Sequence, residues 1–201
     1  SQVAFMMTCS VDSGAMVRAM FGQKVSGDAA FTVSTDSGVL AVIIDVLGHG
    51  PDAHELAVRM QDYLSRSVSG NVVAVLTDLH ERFRGSRGAA VGLGYVDCST
   101  GMLHYAGIGN TVIRRFGSHE TRLVSRDGVV GGETRTPVEE TLPLADGDVV
   151  VMYTDGVRSH FAAADYPALR HDSPDDVAGK IVDRFGKAHD DASCVVMRYS
   201  S

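Results

Sequence analysis

Tryptophan is missing from this 201-residue chain, and cysteine is scarce. Cys9, Cys98 and Cys194 lie far apart and make no Cys-x-x-Cys pair. Neither a zinc knuckle nor a disulfide framework is indicated, and three separate thiols are expected. Long apolar runs are absent too: the longest, Val39–Ile44, ends at Asp45, far short of a membrane span. The first residues, SQVAFMMTCSV, have neither the basic start nor the apolar stretch of a secretory signal. These absences lead us to expect a soluble, cytoplasmic protein with no membrane partner. Cations are in the minority, with 18 Lys and Arg against 25 Asp and Glu. The resulting net charge of −7 argues against a nucleic-acid groove. Repulsion of a phosphorylated substrate does not follow, because bound cations can neutralise carboxylates.

Several catalytic signatures are also missing. There is no Cys-x5-Arg loop and no Gly-x-Ser-x-Gly elbow, so no enzyme nucleophile is offered. His54-Glu55 begins like a zinc-peptidase helix, but Val58 stands where the second histidine belongs. Gly48-x-Gly50-x-x-Ala53 follows a strand and opens a helix, as a dinucleotide-binding turn does. Asp45 precedes those glycines, however, and the later chain is rich in hairpins rather than βαβ units.

What is present is a succession of short apolar segments with 22 glycines scattered at turns, the pattern of a strand-rich domain. Residues 3–11 and 14–21 read as a first pair of strands around Asp12-Ser13-Gly14. Residues 29–35 and 39–46 read as a hairpin, since Phe31, Val33 and Thr35 alternate before Asp36-Ser37-Gly38. The second arm, VLAVIIDV, is apolar on both faces and predicts a central, covered strand. Pro51 suits a first helical turn, and Ala53, Leu56, Ala57, Met60 and Leu64 recur at helical spacing. Val72, Val75, Leu76, Leu79 and Phe83 form a second such stripe. Strands are predicted at 88–97, 102–109, 111–116, 119–124 and 148–154. A third helix is predicted to open at Ser173-Pro174-Asp175-Asp176, and a last strand to span 193–199. Hairpin connections imply mainly antiparallel sheets, hence an α+β fold: two sheets packed together and flanked by helices.

The acids fall at strand ends. Asp28 precedes one strand, Asp45 ends the most apolar one, Asp155 ends DVVVMYT, and Asp190-Asp191 precede the last. A carboxylate beside such apolar sequence needs a partner. If strand ends gather at one edge, these oxygens could together hold hard cations such as Mg²⁺ or Mn²⁺. Taken singly, each also fits a turn aspartate that accepts backbone hydrogen bonds.

Five segments then appear in one order: Ser26-Gly27-Asp28, Asp45-Val46-Leu47-Gly48-His49-Gly50, Ala106-Gly107-Ile108-Gly109-Asn110, Tyr153-Thr154-Asp155-Gly156-Val157 and Asp190-Asp191-Ala192-Ser193. In sequence and spacing the chain resembles the PPM (PP2C-like) serine/threonine phosphatases, and most of all their bacterial RsbU/SpoIIE/RsbX branch. The similarity runs from about residue 26 to the C-terminus. It implies a layered α-β-β-α sandwich and a single PP2C-like domain over residues 1–201. With no sensor or membrane domain expected beside it, the implied relative is the short, stand-alone RsbX type.

The resemblance also implies roles. Asp45 would bridge two divalent cations, Mn²⁺ or Mg²⁺, with the carbonyl of Val46 binding one of them; family members usually have Gly at that place. Asp155 and Asp190 would hold the other ion, and Asp28 would serve the second ion directly or through water. Together Asp45, Asp155 and Asp190 would hold a metal-activated water for in-line attack on phosphorus. Asp191 would order its loop. His49 is a candidate general acid, or else orients the helix start. No phosphate-binding arginine is recognisable: Arg18 and Lys24 are the only cations upstream of Asp28, and neither carries a motif. The implied substrate is a phosphoserine or phosphothreonine on a STAS-domain regulator of a stressosome or partner-switching pathway. The alternative is a scaffold of the same fold without catalysis.

Overall fold

The computed structural model describes residues 9–201. Its elements run β1 (Ser10–Arg18), β2 (Asp28–Ser34), β3 (Gly38–Val46), α1 (Gly50–Arg66), α2 (Val72–Arg82), β4 (Ala89–Asp97), β5 (Met102–Ile108), β6 (Val112–Phe116), β7 (Thr121–Leu123), β8 (Glu140–Pro143), β9 (Val149–Tyr153), α3 (Pro174–Phe185) and β10 (Ala192–Ser200). One five-stranded sheet has the order β1-β10-β9-β6-β7 and the other β2-β3-β4-β5-β8. Every ladder between named strands is antiparallel.

Period-two patterning explains how the layers stack. Along β3, Leu40, Val42, Ile44 and Val46 pack with the apolar stripes of α1 and α2, including Met60, Leu64, Leu76 and Leu79. The intervening Ala41 and Ile43 pack against Val150, Met152 and Val195 of the opposite sheet. On the outside of that sheet, Val177, Ile181 and Val182 of α3 cover Val149, Val151 and Cys194. The result is the expected α-β-β-α order. Loss of one inter-sheet side chain, as in Ile43→Ala, would destabilise the fold by about 2–5 kcal/mol. Ser173 caps α3 as its sequence suggests, accepting from the Asp176 N–H at 3.2 Å.

Three expectations are corrected or extended. Asp12-Ser13-Gly14 is no turn: β1 runs straight through it, paired with β10 along its whole length. The glycine serves close packing instead, because a Cβ there would come within 2.2 Å of the Asp175 nitrogen at the start of α3. Most of the first predicted strand, residues 3–11, lies outside the described residues. The expectation of three separate thiols is also corrected, since Cys9 and Cys98 form a disulfide, with Cα atoms 5.3 Å apart across 89 residues of sequence. Cys9 just precedes β1 and Cys98 just follows β4, strands of different sheets, so no sequence spacing announces the contact. Cys194 remains a free, buried thiol. Finally, β8 and a short 3-10 turn at Ala163–Asp165 were not expected. The strand is a four-residue edge strand with mixed exposure and so lacks an apolar signature.

Candidate active site

Antiparallel pairing decides where the acids go. Asp28 opens β2 and Asp45 is the last residue but one of β3, and the register sets them directly opposite one another. In the other sheet Asp155 follows β9, while Asp190 and Asp191 precede its antiparallel neighbour β10. Asp45 continues the Ala41–Ile43 row that faces the opposite sheet. The acids of both sheets thereby meet at one end of the sandwich.

Asp28 is the most enclosed of the candidate metal-site carboxylates, with 5% of its surface exposed. Its Oδ2 accepts from the Thr154 hydroxyl at 2.8 Å, whereas its buried Oδ1 has no hydrogen-bond partner. The Ser193 N–H donates in turn to Thr154 Oγ1 at 3.2 Å. Burial lifts the Asp28 carboxyl to about 7, opposed by the Thr154 and Ser193 contacts and reinforced by Asp191 and Asp190. Burial also pushes Asp45 up to about 10, helped by Asp28, Asp155 and Asp190. Asp190 moves upward for the same reason, burial first and then the charge of Asp155. Asp155 Oδ2 accepts from the Asn110 amide at 2.6 Å. Among the described residues, no set of three or more Asp, Glu, His or Cys side chains is closed into a cage fit for a metal ion. The acids are neighbours rather than a finished ligand shell.

Asp191 is engaged otherwise. Its Oδ1 accepts from the Met20 N–H at 2.8 Å and its Oδ2 from the Gly27 N–H at 2.7 Å, which fastens the segment leading into β2. The same spot holds the Val46 carbonyl oxygen, 3.6 Å from where a Cβ on Gly27 would stand. His49 caps α1 from extended backbone, exposed and without a side-chain capping bond. Arg18 is committed to structure, donating to the carbonyls of Val182 and Lys187 at 3.3 and 2.8 Å.

Sequence reasoning overlooked three supporting residues. Thr154 carries Asp28, Asn110 carries Asp155, and His54 Nδ1 lies 2.9 Å from the Ser26 carbonyl, tying α1 to the approach of β2. Thr154 and Asn110 sit inside the motifs quoted above, and that was their only signal. His54 drew attention only as the start of a zinc-peptidase-like pattern, which does not point to this contact.

A sequence profile of the Stage II sporulation protein E (SpoIIE) family matches residues 35–200. The chain belongs to that family. No curated protein sequence matches it. Among solved structures, this SpoIIE-family chain resembles one from work on the bacterial stressosome as a modular system adapted to control secondary-messenger signalling. That pair has a TM-score of 0.87 and 22% identity, covering 94% of this chain and 100% of the other. RsbX in complex with magnesium aligns with a TM-score of 0.82 and 16% identity, over 94% and 96% of the two chains. The catalytic domain of the serine/threonine phosphatase PstP, with two manganese ions, aligns with a TM-score of 0.70 and 15% identity, over 96% and 100%. The SpoIIE-family chain thus has the PP2C phosphatase fold. Its residues fit hard divalent cations: the clustered donors are carboxylate oxygens, one buried Asp28 oxygen lacks a partner, and three carboxyls are held above their ordinary range.

Proposed function

We propose that this chain is a metal-dependent protein serine/threonine phosphatase, folded as a single PP2C-like domain and acting in the cytoplasm. The observation that carries the reading is the facing pair Asp28–Asp45, joined by Asp155 and Asp190 from the other sheet, with a buried Asp28 oxygen lacking a partner. Asp28, Asp45, Asp155, Asp190 and the Val46 carbonyl would hold two divalent cations. Bound Mn²⁺ or Mg²⁺ supplies an acidified water and offsets the charge of the phosphoryl group.

The protein's own work is positional. Thr154 holds one oxygen of Asp28 and so leaves the other for ligation. Asn110 orients Asp155 in the same manner. Asp191 fixes the strand entry from which Asp28 projects. The carboxyls of Asp28 and Asp45 must lose their protons to ligate, so cation binding releases protons. His49, exposed and four residues after Asp45, would be the candidate to protonate a departing serine oxygen.

Similarity to RsbX and to the stressosome-related structure supports a phosphorylated STAS-domain protein as the partner. The test is release of phosphate from p-nitrophenyl phosphate and from a phosphoserine STAS protein, with Mn²⁺, with Mg²⁺ and with a chelator. Metal-dependent release that returns when the cation is restored is expected. Equal activity in chelator overturns the mechanism, and a well-folded protein inert under all conditions indicates the scaffold alternative.

A further inference from the structure

Beside Asp155 the surface opens into a cavity of ≈ 440 Å³, lined among others by Asn110, Val112, Arg122, Arg158 and Lys187. Apart from Asp155, no lining residue is acidic. This runs against the overall charge of −7. The backbone that carries two of the cations is held by a local lock. The Arg158 N–H donates to the Phe185 carbonyl at 2.8 Å and the Lys187 N–H to the Gly156 carbonyl at 2.7 Å, with a bridge between Val157 and Gly186. The third comes from β7, the edge strand of its sheet. Among the described residues, none of the three side chains forms an ion pair, although Arg84, Arg87, Arg114, Arg115 and Lys180 all do.

All three side chains are exposed, and Lys187 also acts through its charge on Asp190; with Arg122 and Arg158 it lines one cavity contiguous with an acid of the candidate site, a positive rim suited to an anion from outside the chain. The cavity is of the size that takes a small molecule or a few side chains rather than a lone phosphoryl group. Guanidinium forks match planar carboxylates. We propose that this cavity seats acidic side chains flanking the phosphorylated residue of the substrate, with Arg122, Arg158 and Lys187 as specificity-determining residues. The inference rests on the phosphatase reading and adds to it the class of sequence accepted. It also supplies a use for cations at a site whose upstream arginine, Arg18, is committed elsewhere.

The test uses three phosphoserine peptides that differ only in their flanking residues, which are Asp/Glu, Ala or Lys. Values of kcat/KM are measured with the Mn²⁺-loaded chain and with its Arg158→Glu/Lys187→Glu variant. The affinities of the matching phosphonate peptides are measured by fluorescence anisotropy. The native chain should favour the acidic peptide over the basic one by on the order of tenfold or more, as expected for one or two charge-assisted bonds. The variant should invert that ranking, and its gain on the Lys peptide cannot come from misfolding. An unchanged ranking in the variant, or equal ranking in the native chain, overturns the proposal. If no peptide is turned over but the anisotropy ranking holds and inverts, the phosphatase reading falls while recognition of acidic ligands by the cavity stands.

Discussion

Asp28 and Asp45 face one another across the β2–β3 ladder, and the charge of Asp28 adds to the burial that raises the Asp45 carboxyl. A carboxyl whose pKa rises on folding binds more protons in the folded state. Its contribution is therefore full below the ordinary value of 3.8 and is lost as pH climbs through about 7 for Asp28 and about 10 for Asp45. The metal-free protein should lose thermal stability steadily from pH 5 to pH 9 in chelator. Over the same range Mn²⁺ should bind more tightly as pH rises. Asp45→Asn should flatten the stability profile and melt a few degrees above the native chain at pH 9, since about 1 kcal/mol moves Tm by roughly 2–4 °C in a chain this size. Phosphatase turnover in Asp45→Asn, and likewise in Asp155→Asn, should fall by more than the roughly 10–100-fold typical of outer-shell changes. Melting curves across pH and single-turnover assays check both halves. A native profile that rises toward pH 9 would contradict the burial argument.

Thr154 provides a separate test, because it touches Asp28 without being a candidate ligand. Thr154→Val keeps the shape and removes the hydroxyl bond that lowers the Asp28 pKa. Mn²⁺ affinity by isothermal titration should drop roughly 10–100-fold, and the melting temperature in chelator should fall by a few degrees because the buried Ser193 N–H also loses its acceptor. Unaltered affinity would detach Thr154 from the site.

Gly156 is fixed by close approach. A Cβ there would stand 1.7 Å from the Asp191 carbonyl oxygen, so the turn after Asp155 packs directly on the segment before β10. Gly156→Ala should lower stability by about 1–3 kcal/mol or more and shift the urea midpoint accordingly. An unchanged midpoint would show that the two segments can separate freely.

The Cys9–Cys98 bond ties the start of β1 to the end of β4 across 89 residues. Reduction, or Cys98→Ser, should lower stability by up to about 4–5 kcal/mol through loop-closure entropy. The melting temperature with and without dithiothreitol measures this, and Cys98→Ser should abolish the response to reductant. A native chain indifferent to reductant would show that the bond contributes nothing to stability.

Much of this architecture was legible in the residue order. Alternation in β3, the 3.6-residue stripes of α1 and α2 and the Ser173 cap are local signals, written in neighbouring residues and enforced by burial. The acids could be picked out singly for the same reason, since each ends or precedes an apolar strand. Gly14 misled because a glycine that makes room for a helix looks, in sequence, like one that makes a turn.

The sequence by itself determined the two-sheet α+β layering and the residue types offered for chemistry, because periodicity and charge placement are properties of adjacent residues. The resemblance grouped the acids, but only the tertiary structure decided how they meet and what carries them. The pairing of Asp28 with Asp45 depends on strand register, the Thr154–Asp28 bond spans 126 positions between two sheets, and Arg122, Arg158 and Lys187 share a cavity only because β7 and the ends around α3 fold to one side. Contacts of that kind are set by the packing of whole layers, and no local pattern in the chain encodes them.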